Sequence, residues 1–485
     1  MNHSPDRFAC GQIATGALLV LAFALAWKFT PGMWEWNGDP QRLGFALAAV
    51  LAFVAACFAL AWQRRRSRST PLENDALPVF FASQTGQAEE LAHRSAASLT
   101  AAGITATAVP LARLDAATLA QTERALFVVS TTGEGDAPDA VVGFVARVLG
   151  GSASLQGVRY GLLALGDRRY ESFCAFGHRL DAWLRDHGAH PLFPAIDVDD
   201  MDEGSMGEWQ RQLALIAGTS QLPYWQSQPF RDYRIVERRE LNPGSLGEPV
   251  FHLALAPMQG ELPAWRGGDI AQIVPGPAHD NDAADRHPRD YSIASVPTEG
   301  CVHLLIRQGR RSDGQLGLAA GWLTVQATFD DAIALRIREN PNFHVPPSGT
   351  PLILIGNGTG LAALRALLHE RIAQGEHRNW LLFGERQRER DFYYREELES
   401  WLRKGSLSHL DLAFSRDAGV GAYVQQRLQE QAPRLRQWLD DGAHVLVCGS
   451  QHGMAGGVDA VLREVLGDAG VIDLVEDGRY RRDVY

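Results

Sequence analysis

Two turns in this chain carry the residue types that hold a phosphate. The first, Ser83-Gln84-Thr85-Gly86-Gln87-Ala88, lies between an apolar run, Pro78–Phe81, that reads as a buried parallel strand and a helical segment from Glu89 to Ala101. A strand, a hydroxyl-and-glycine turn and a helix offer an anion backbone N–H groups and a helix N-terminus, with Ser83 and Thr85 as further donors. No lysine follows Gly86, which excludes a nucleoside-triphosphate loop. The second turn, Gly356-Asn357-Gly358-Thr359-Gly360, follows the strand-like Pro351–Ile355 and opens a helix expected over Leu361–Ile372, the pattern of a dinucleotide site.

The elements around the first turn must bring it to other polar loops. Apolar strands are expected at Ala125–Val129 and Tyr160–Leu165. They lead into Thr131-Thr132-Gly133-Glu134-Gly135 and into Gly166-Asp167-Arg168-Arg169-Tyr170 with Phe173 and Cys174. Alternating strands and helices build a parallel sheet that binds ligands at the C-terminal ends of its strands, so all three loops share one edge. Asp197 to Asp202 reads as a solvated acidic run, with Asp199 as a further candidate for that edge. Thr219–Phe230 has no helical period and reads as a hinge. Short β segments follow at Tyr233–Arg238, Val250–Ala256, Asp269–Val274, Tyr291–Ala294 and Val302–Ile306, which suggests a small antiparallel barrel. Trp380–Gly384 and Val445–Gly449 read as strands of a second parallel sheet beside the glycine turn.

At 485 residues the chain accommodates about three domains. A hydrophobic content of 46% with 21% charged residues is globular, and a formal net charge of −11 excludes a typical nucleic-acid binder, which needs basic surface. The five cysteines, Cys10, Cys57, Cys174, Cys301 and Cys448, form no Cys-x-x-Cys pair and no zinc or iron–sulfur spacing, so no metal is expected. From Phe8 to Trp27 and from Leu43 to Trp62 no charged residue occurs, and each run is long enough to span a bilayer. Trp27, Trp34, Trp36 and Trp62 stand at interface positions, and Arg64, Arg65, Arg66 and Arg68 follow at once. The expectation is a two-pass anchor in the inner membrane, with the N-terminus and everything after the second run cytoplasmic and Lys28–Arg42 outside. Neither run contains a histidine, so neither can ligate a transmembrane haem by an imidazole pair, and both read as an anchor alone.

The three loops of the first sheet resemble the flavodoxin family, down to Leu165-Gly166-Asp167 and Glu171-Ser172-Phe173-Cys174. That resemblance implies FMN, with Ser83–Ala88 on its phosphate, Thr131–Gly135 along one side of the flavin and Tyr170 stacked on it. Arg289-x-Tyr291-Ser292 resembles the ferredoxin–NADP reductase family, where the arginine meets the FAD pyrophosphate and the tyrosine covers the isoalloxazine. Gly317-Leu318-Ala319-Ala320-Gly321 matches that family's second FAD element, except that Ala320 stands where a hydroxyl residue is usual.

The succession of Gly358-Thr359-Gly360, Ser415-Arg416, Tyr423-x-Gln425, Cys448-Gly449 and the terminal Asp483-Val484-Tyr485 resembles diflavin reductases of the sulfite reductase flavoprotein and NADPH–haemoprotein reductase type. The resemblance runs from Pro78 to Tyr485. It implies that Ser415, Arg416 and Tyr423 hold the NADPH 2′-phosphate, that Arg365 reaches the nicotinamide-side phosphates, and that Tyr485 stacks on the FAD ring. By the same resemblance Ser292, Cys448 and Asp483 position the nicotinamide. Gly421 replaces the family's lysine, and the link from Val274 to Arg289 is too short for the family's helical connecting domain.

The expected organisation is α/β, in order: anchor and linker 1–75, flavodoxin-like FMN domain 76–218, hinge 219–230, FAD-binding β-barrel 231–345 and Rossmann-like NADP domain 346–485. The expected function is a membrane-anchored NADPH-dependent reductase passing electrons through FAD and FMN to a one-electron acceptor such as a haemoprotein. The alternatives are the flavoprotein subunit of sulfite reductase with a sirohaem partner subunit, a ferric-siderophore reductase, and a non-enzymatic flavin-binding scaffold suggested by Ala320 and Gly421.

Overall fold

The computed structural model describes residues 76–485 apart from 169, 220–224, 226–228, 277–286, 312–313 and 418–420. Leu72–Tyr485 forms one compact unit. The two apolar runs expected to anchor the chain lie outside the described residues, as does most of the expected hinge. Within the described part, Trp225 of that hinge donates to Ser98 Oγ at 3.0 Å.

Strands β1 (Leu77–Ala82), β2 (Ala106–Pro110), β3 (Arg124–Ser130), β4 (Arg159–Gly166), β5 (His190–Pro191) and β6 (Ile196–Asp199) form a parallel sheet. Its order is β2-β1-β3-β4-β5, with β6 also paired to β4. The strands β1, β3 and β4 are almost wholly buried, because helices cover both faces and continuous apolar runs suit such a position. The helices α1 (Gln87–Ala101), α2 (Ala175–Asp186) and α3 (Glu203–Ile216) do this work; Trp209 Nε1 of α3 donates to Ser95 Oγ of α1 at 3.0 Å. The strand order turns back between β1 and β3, and there a doubly wound sheet opens its ligand crevice.

The second sheet is antiparallel: β7 (Arg231–Glu240), β8 (Val250–Pro257), β9 (Ile270–Ile273), β10 (Arg289–Ser292), β11 (Val302–Arg307) and β12 (Ile333–Arg338), ordered β10-β9-β12-β7-β8-β11. It curls around a core that includes Tyr233, Leu253, Trp265, Ile293, Trp322 and Leu335. The chain leaving β10 reaches the opposite edge, where Ala294 N donates to His303 O at 2.8 Å. Five of its strands match expected segments. The sixth, β12, is not among those read from the sequence, although Ile333, Leu335 and Ile337 alternate with Ala334, Arg336 and Arg338.

The third sheet is parallel: β13 (Leu352–Asn357), β14 (Asn379–Glu385), β15 (His409–Phe414), β16 (His444–Gly449) and β17 (Tyr480–Val484), ordered β15-β14-β13-β16-β17. Its switch point lies between β13 and β16, beside the glycine turn. The helix α4 (Leu361–Ala373) leaves that turn, followed by α5 (Arg395–Arg403) and α6 (Gly456–Glu476). The terminal Asp483-Val484-Tyr485 is the end of an edge strand paired to β16, with Cys448 opposite Asp483.

The expected placement as a two-pass inner-membrane protein is corrected. Among the described residues no helix is long and apolar enough to cross a membrane.

Candidate functional site

The three loops of the first sheet meet at one edge, as their strand ends require. In the turn after β1, Gly86 takes φ 83° at the N-terminus of α1, and Ser83 Oγ accepts from Ala88 N at 3.2 Å. Gly133 and Gly135 take φ 52° and 110°, and a Cβ on Gly135 would lie 2.8 Å from Ser172 Cβ. The loops after β3 and β4 therefore approach at backbone distance, which only glycine allows. Thr131 N donates to Leu165 O at 2.9 Å, and Thr131 Oγ1 accepts from Phe176 N at 3.2 Å. Tyr170 is 53% exposed. Asp199, at the end of β6, reaches the same edge and accepts from Arg168 N at 2.9 Å. Cys174 is buried with its thiol on Ala164 O at 3.3 Å; burial, and then Asp197, push it up to about 12, so it stays protonated. A left-handed glycine, buried hydroxyls, inward N–H groups and an exposed aromatic fit a flavin mononucleotide.

Ser292, Cys448 and Asp483, far apart in the chain, come together where the antiparallel sheet meets the third sheet. Ser292 Oγ donates to Asp483 Oδ2 at 3.2 Å, and Cys448 Sγ lies 3.9 Å from the same oxygen. Burial raises the Asp483 carboxyl above the usual range, with the Ser292 hydroxyl working against it. Burial and the neighbouring Asp483 raise the Cys448 thiol well above its ordinary value. This thiol is a neutral wall residue, not a nucleophile. Beside the trio, Tyr485 OH and Thr359 Oγ1 are 3.1 Å apart, so the terminal ring stands over the glycine turn. Gly358 takes φ 58°, and a Cβ on Gly360 would strike the Cys448 carbonyl. Arg307, paired with Glu385, stands at Gly358.

Gly317 precedes the single helical turn Leu318–Gly321, holding Gly309 O through its N–H at 2.8 Å. Ala319 is buried there, and Ala320 packs against the core of the antiparallel sheet. The Thr324 hydroxyl donates to Ala320 O at 2.5 Å and accepts from Gln308 Nε2 at 2.8 Å, so it does not stand in for the missing side chain. Trp322 Nε1, in the turn that follows, is a buried donor with no partner among the described residues. Tyr291 is half-buried on β10, and Arg289 holds the carbonyls of His287 and Pro288 at 2.9 and 3.2 Å. These donors and the ring on an open edge strand fit a flavin dinucleotide.

At the end of β15, Ser415 and Arg416 are laced to the loop after β14: Ser415 N donates to Glu385 O at 2.9 Å and Arg416 N to Arg386 O at 2.7 Å. The Arg416 side chain is exposed, as is Tyr423 at 51%, while Gln425 packs under Gly457. A Cβ at Gly421 would lie 2.8 Å from Ser415 O, so this turn has closed over the space a longer residue needs. Arg386 and Arg388 stand in the adjoining loop, cations that sequence reading passed over.

Arg365 is placed elsewhere than expected. Its guanidinium is buried and donates to Glu397 at 2.7 and 2.9 Å, to Glu299 at 2.8 and 3.4 Å and to Ala294 O at 2.6 Å. Burial opposes its charge, but the two carboxylates outweigh that and hold it protonated. Every donor is committed to joining α4 to the antiparallel sheet, which leaves none for a phosphate in this arrangement.

Contacts between the flavodoxin-like sheet and the rest of the chain were not legible in the sequence. Gln84 Nε2 donates to Asp139 Oδ2 at 2.9 Å and to Arg482 O at 3.0 Å, and Asp139 N returns a bond to Gln84 Oε1 at 3.0 Å. Arg482 Nε holds Asp139 at 2.6 Å in a two-pronged pair. Neighbouring residues of β17 thus touch both sites: Arg482 the first turn, Asp483 the trio.

Residues 79–209 match the family Flavodoxin, and residues 354–460 match Oxidoreductase NAD-binding domain. The chain is 29% identical to the sulfite reductase [NADPH] flavoprotein alpha-component of Neisseria meningitidis serogroup A, over 84% of this chain and 89% of that protein. It is 28% identical to the protein of that name from Vibrio cholerae, over 84% and 87%. The first alignment spans 539 residues, more than the 485 of this chain, so the relative carries inserted stretches that this chain lacks. That fits the direct link from β9 to β10.

Fold, site and relatives are together similar to those of diflavin reductases. The chain is an NADPH-dependent flavoprotein reductase that works with FMN, FAD and NADPH.

Proposed function

We propose that this chain is the electron-supplying flavoprotein of a two-component reductase whose acceptor is a separate haemoprotein, with the sulfite reductase arrangement as the best-supported form. A nicotinamide delivers electrons in pairs and a flavin releases them singly, so the bound cofactors join a two-electron donor to a one-electron acceptor. The observation that carries the reading is the Ser292–Asp483–Cys448 trio beside the glycine turn, in the same compact unit as a flavodoxin-like edge. The relatives' shared name supports the sulfite reductase form over a membrane-anchored reductase, and nothing in the fold favours a siderophore acceptor.

In this reading residues 76–218 hold FMN, 231–345 hold FAD and 346–485 hold NADPH. Ser83–Ala88 take the FMN phosphate, and Thr131–Gly135, Leu165–Asp167, Tyr170, Phe173 and Cys174 line the flavin. Arg289, Tyr291, Gly317, Ala319 and Ala320 belong to the FAD site, and Gly358, Thr359 and Gly360 admit the NADPH pyrophosphate. Tyr485 covers the position that a nicotinamide must occupy and moves aside for it. Ser292, Cys448 and Asp483 shape a neutral, dry wall there that excludes water. Ser415, Arg416, Tyr423 and Gln425 form the 2′-phosphate corner.

Charge-assisted bonds of this kind contribute about 1.5–3 kcal/mol. Arg416→Ala is therefore expected to raise the KM for NADPH about 10- to 100-fold and that for NADH less than about twofold; equal effects would remove Arg416 from the corner. The acceptor is tested by mixing the flavin-loaded chain with NADPH and a purified sirohaem protein. Sirohaem reduction faster than that of cytochrome c supports the sulfite reductase form, and its absence directs the reading to another haemoprotein.

A further inference from the structure

The flavodoxin-like edge presents hydroxyls, N–H groups and a helix N-terminus to a phosphate, and no lysine or arginine occurs in the turn itself. A cation reaches it from another sheet. Arg338, the last residue of β12, donates from Nη1 to Thr85 O at 2.7 Å and from Nη2 to Asp290 Oδ2 at 2.9 Å. Its side chain is 10% exposed, and its Nε is buried without a partner among the described residues. The residues after it seal the same contact: Asn342 Nδ2 donates to Ser83 O at 3.2 Å, and Pro341 Cδ sits 2.9 Å from where a Gly86 Cβ would stand. A buried guanidinium with an unused donor, against the backbone of a phosphate turn, favours an anion beyond the carboxylates of Asp290 and Asp483 that already act on it. Asp290 offsets it only in part, since that carboxylate is 45% exposed and water screens it. The other acid at the turn, Asp139, is already matched by Arg482.

We propose that Arg338 is a phosphate-binding residue of the FMN site supplied by the antiparallel sheet, so that the phosphomonoester is held from both halves of the protein. FMN affinity and docking of the halves are then linked: each strengthens the other by the same factor. The inference rests on the reading of Ser83–Ala88 as the phosphate turn, and it concerns the phosphate alone, not the ring.

The test is equilibrium binding of FMN and of riboflavin, which lacks the phosphate, to the FMN-stripped full chain, followed by flavin fluorescence. The wild type binds FMN more tightly than riboflavin. Arg338→Ala weakens FMN about tenfold, the loss of one charge-assisted bond, and leaves riboflavin within about twofold. Asp290→Asn separates charge from clamping: by freeing Arg338 for the phosphate it tightens FMN, whereas a residue that only fastened the halves through Asp290 would lose affinity for both ligands. Equal weakening of FMN and riboflavin in Arg338→Ala, or weaker FMN binding in Asp290→Asn, overturns the proposal. A wild type that binds riboflavin as tightly as FMN overturns the phosphate-turn reading itself. A wild type that prefers FMN, with the preference intact in Arg338→Ala, overturns only the role of Arg338.

Discussion

Asp483→Ala is expected to lower NADPH-driven turnover about 100-fold while both flavins stay bound. Asp483 is the hub of the trio: it takes the Ser292 hydroxyl from the antiparallel sheet and lies opposite Cys448 across the β16–β17 pairing. Removing it leaves Ser292 without its acceptor and opens a gap at the meeting of two sheets. A shift of about 1 Å in a reacting geometry is enough for a loss of that size. Ser292→Ala, which removes one hydrogen bond and keeps the carboxyl, is expected to cost about tenfold. Steady-state kinetics with flavin content measured on the same samples checks both.

Asp483 also sets a pH dependence whose sign follows from its environment. Its carboxyl is raised by burial, so the folded state favours the protonated form. The stability this group contributes is complete below its unfolded value of about 3.9 and is lost as pH rises through the higher folded value. Above that folded value the group is a charge buried in the wall. Asp483→Asn, which keeps the shape and the acceptor oxygen, is expected to gain about 2 °C in melting temperature over the wild type once pH exceeds the raised folded value, with the gain shrinking as pH falls toward 4. A gain that grew on acidification would contradict the burial argument.

Gly360→Ala is expected to reduce kcat/KM for NADPH at least about 100-fold. The new Cβ would fall against the Cys448 carbonyl oxygen, 2.5 Å from its carbon and 2.7 Å from Gly449 Cα. These are backbone atoms of β16, and no rotamer change relieves them; the strands would have to part at their switch point, at a cost of about 3 kcal/mol or more. FMN content should stay near wild type, because the flavodoxin-like sheet has its own core. Gly207→Ala, in α3 with open space around it, is the control and should leave activity unchanged. Equal damage from both substitutions would show that the crowding at β16 is not the cause.

Much of this was legible because buried parallel strands are written as apolar runs. Leu77–Ala82, Arg124–Ser130 and Leu352–Asn357 could be read within a residue or two, and the glycine turns followed from them. The antiparallel β12 escaped because two arginines interrupt its apolar run: Arg336 lies over the Phe230 ring at 4.5 Å and Arg338 reaches the first sheet, so the strand looks like surface. Arg365 was misassigned for a related reason. Its spacing from Gly360 suggested a phosphate, but α4 is buried nearly all round, and the arginine turns to Glu299 and Glu397, whose approach depends on the packing of three elements. The gaps at Ala320 and Gly421 were plain in the sequence, and the structure adds that Thr324 is engaged elsewhere at the first and that Ser415 crowds the second. Contacts such as Gln84 with Arg482 join residues 398 positions apart, which no local pattern records.

The most direct test is anaerobic reduction of the purified chain, with FMN and FAD both bound, by NADPH, followed by transfer to cytochrome c. Rapid bleaching of flavin absorbance, then cytochrome c reduction that fails when FMN alone is removed and returns when FMN is restored, is the expected result. No turnover with both flavins bound, or turnover indifferent to FMN, would contradict a route running from NADPH through both flavin sites.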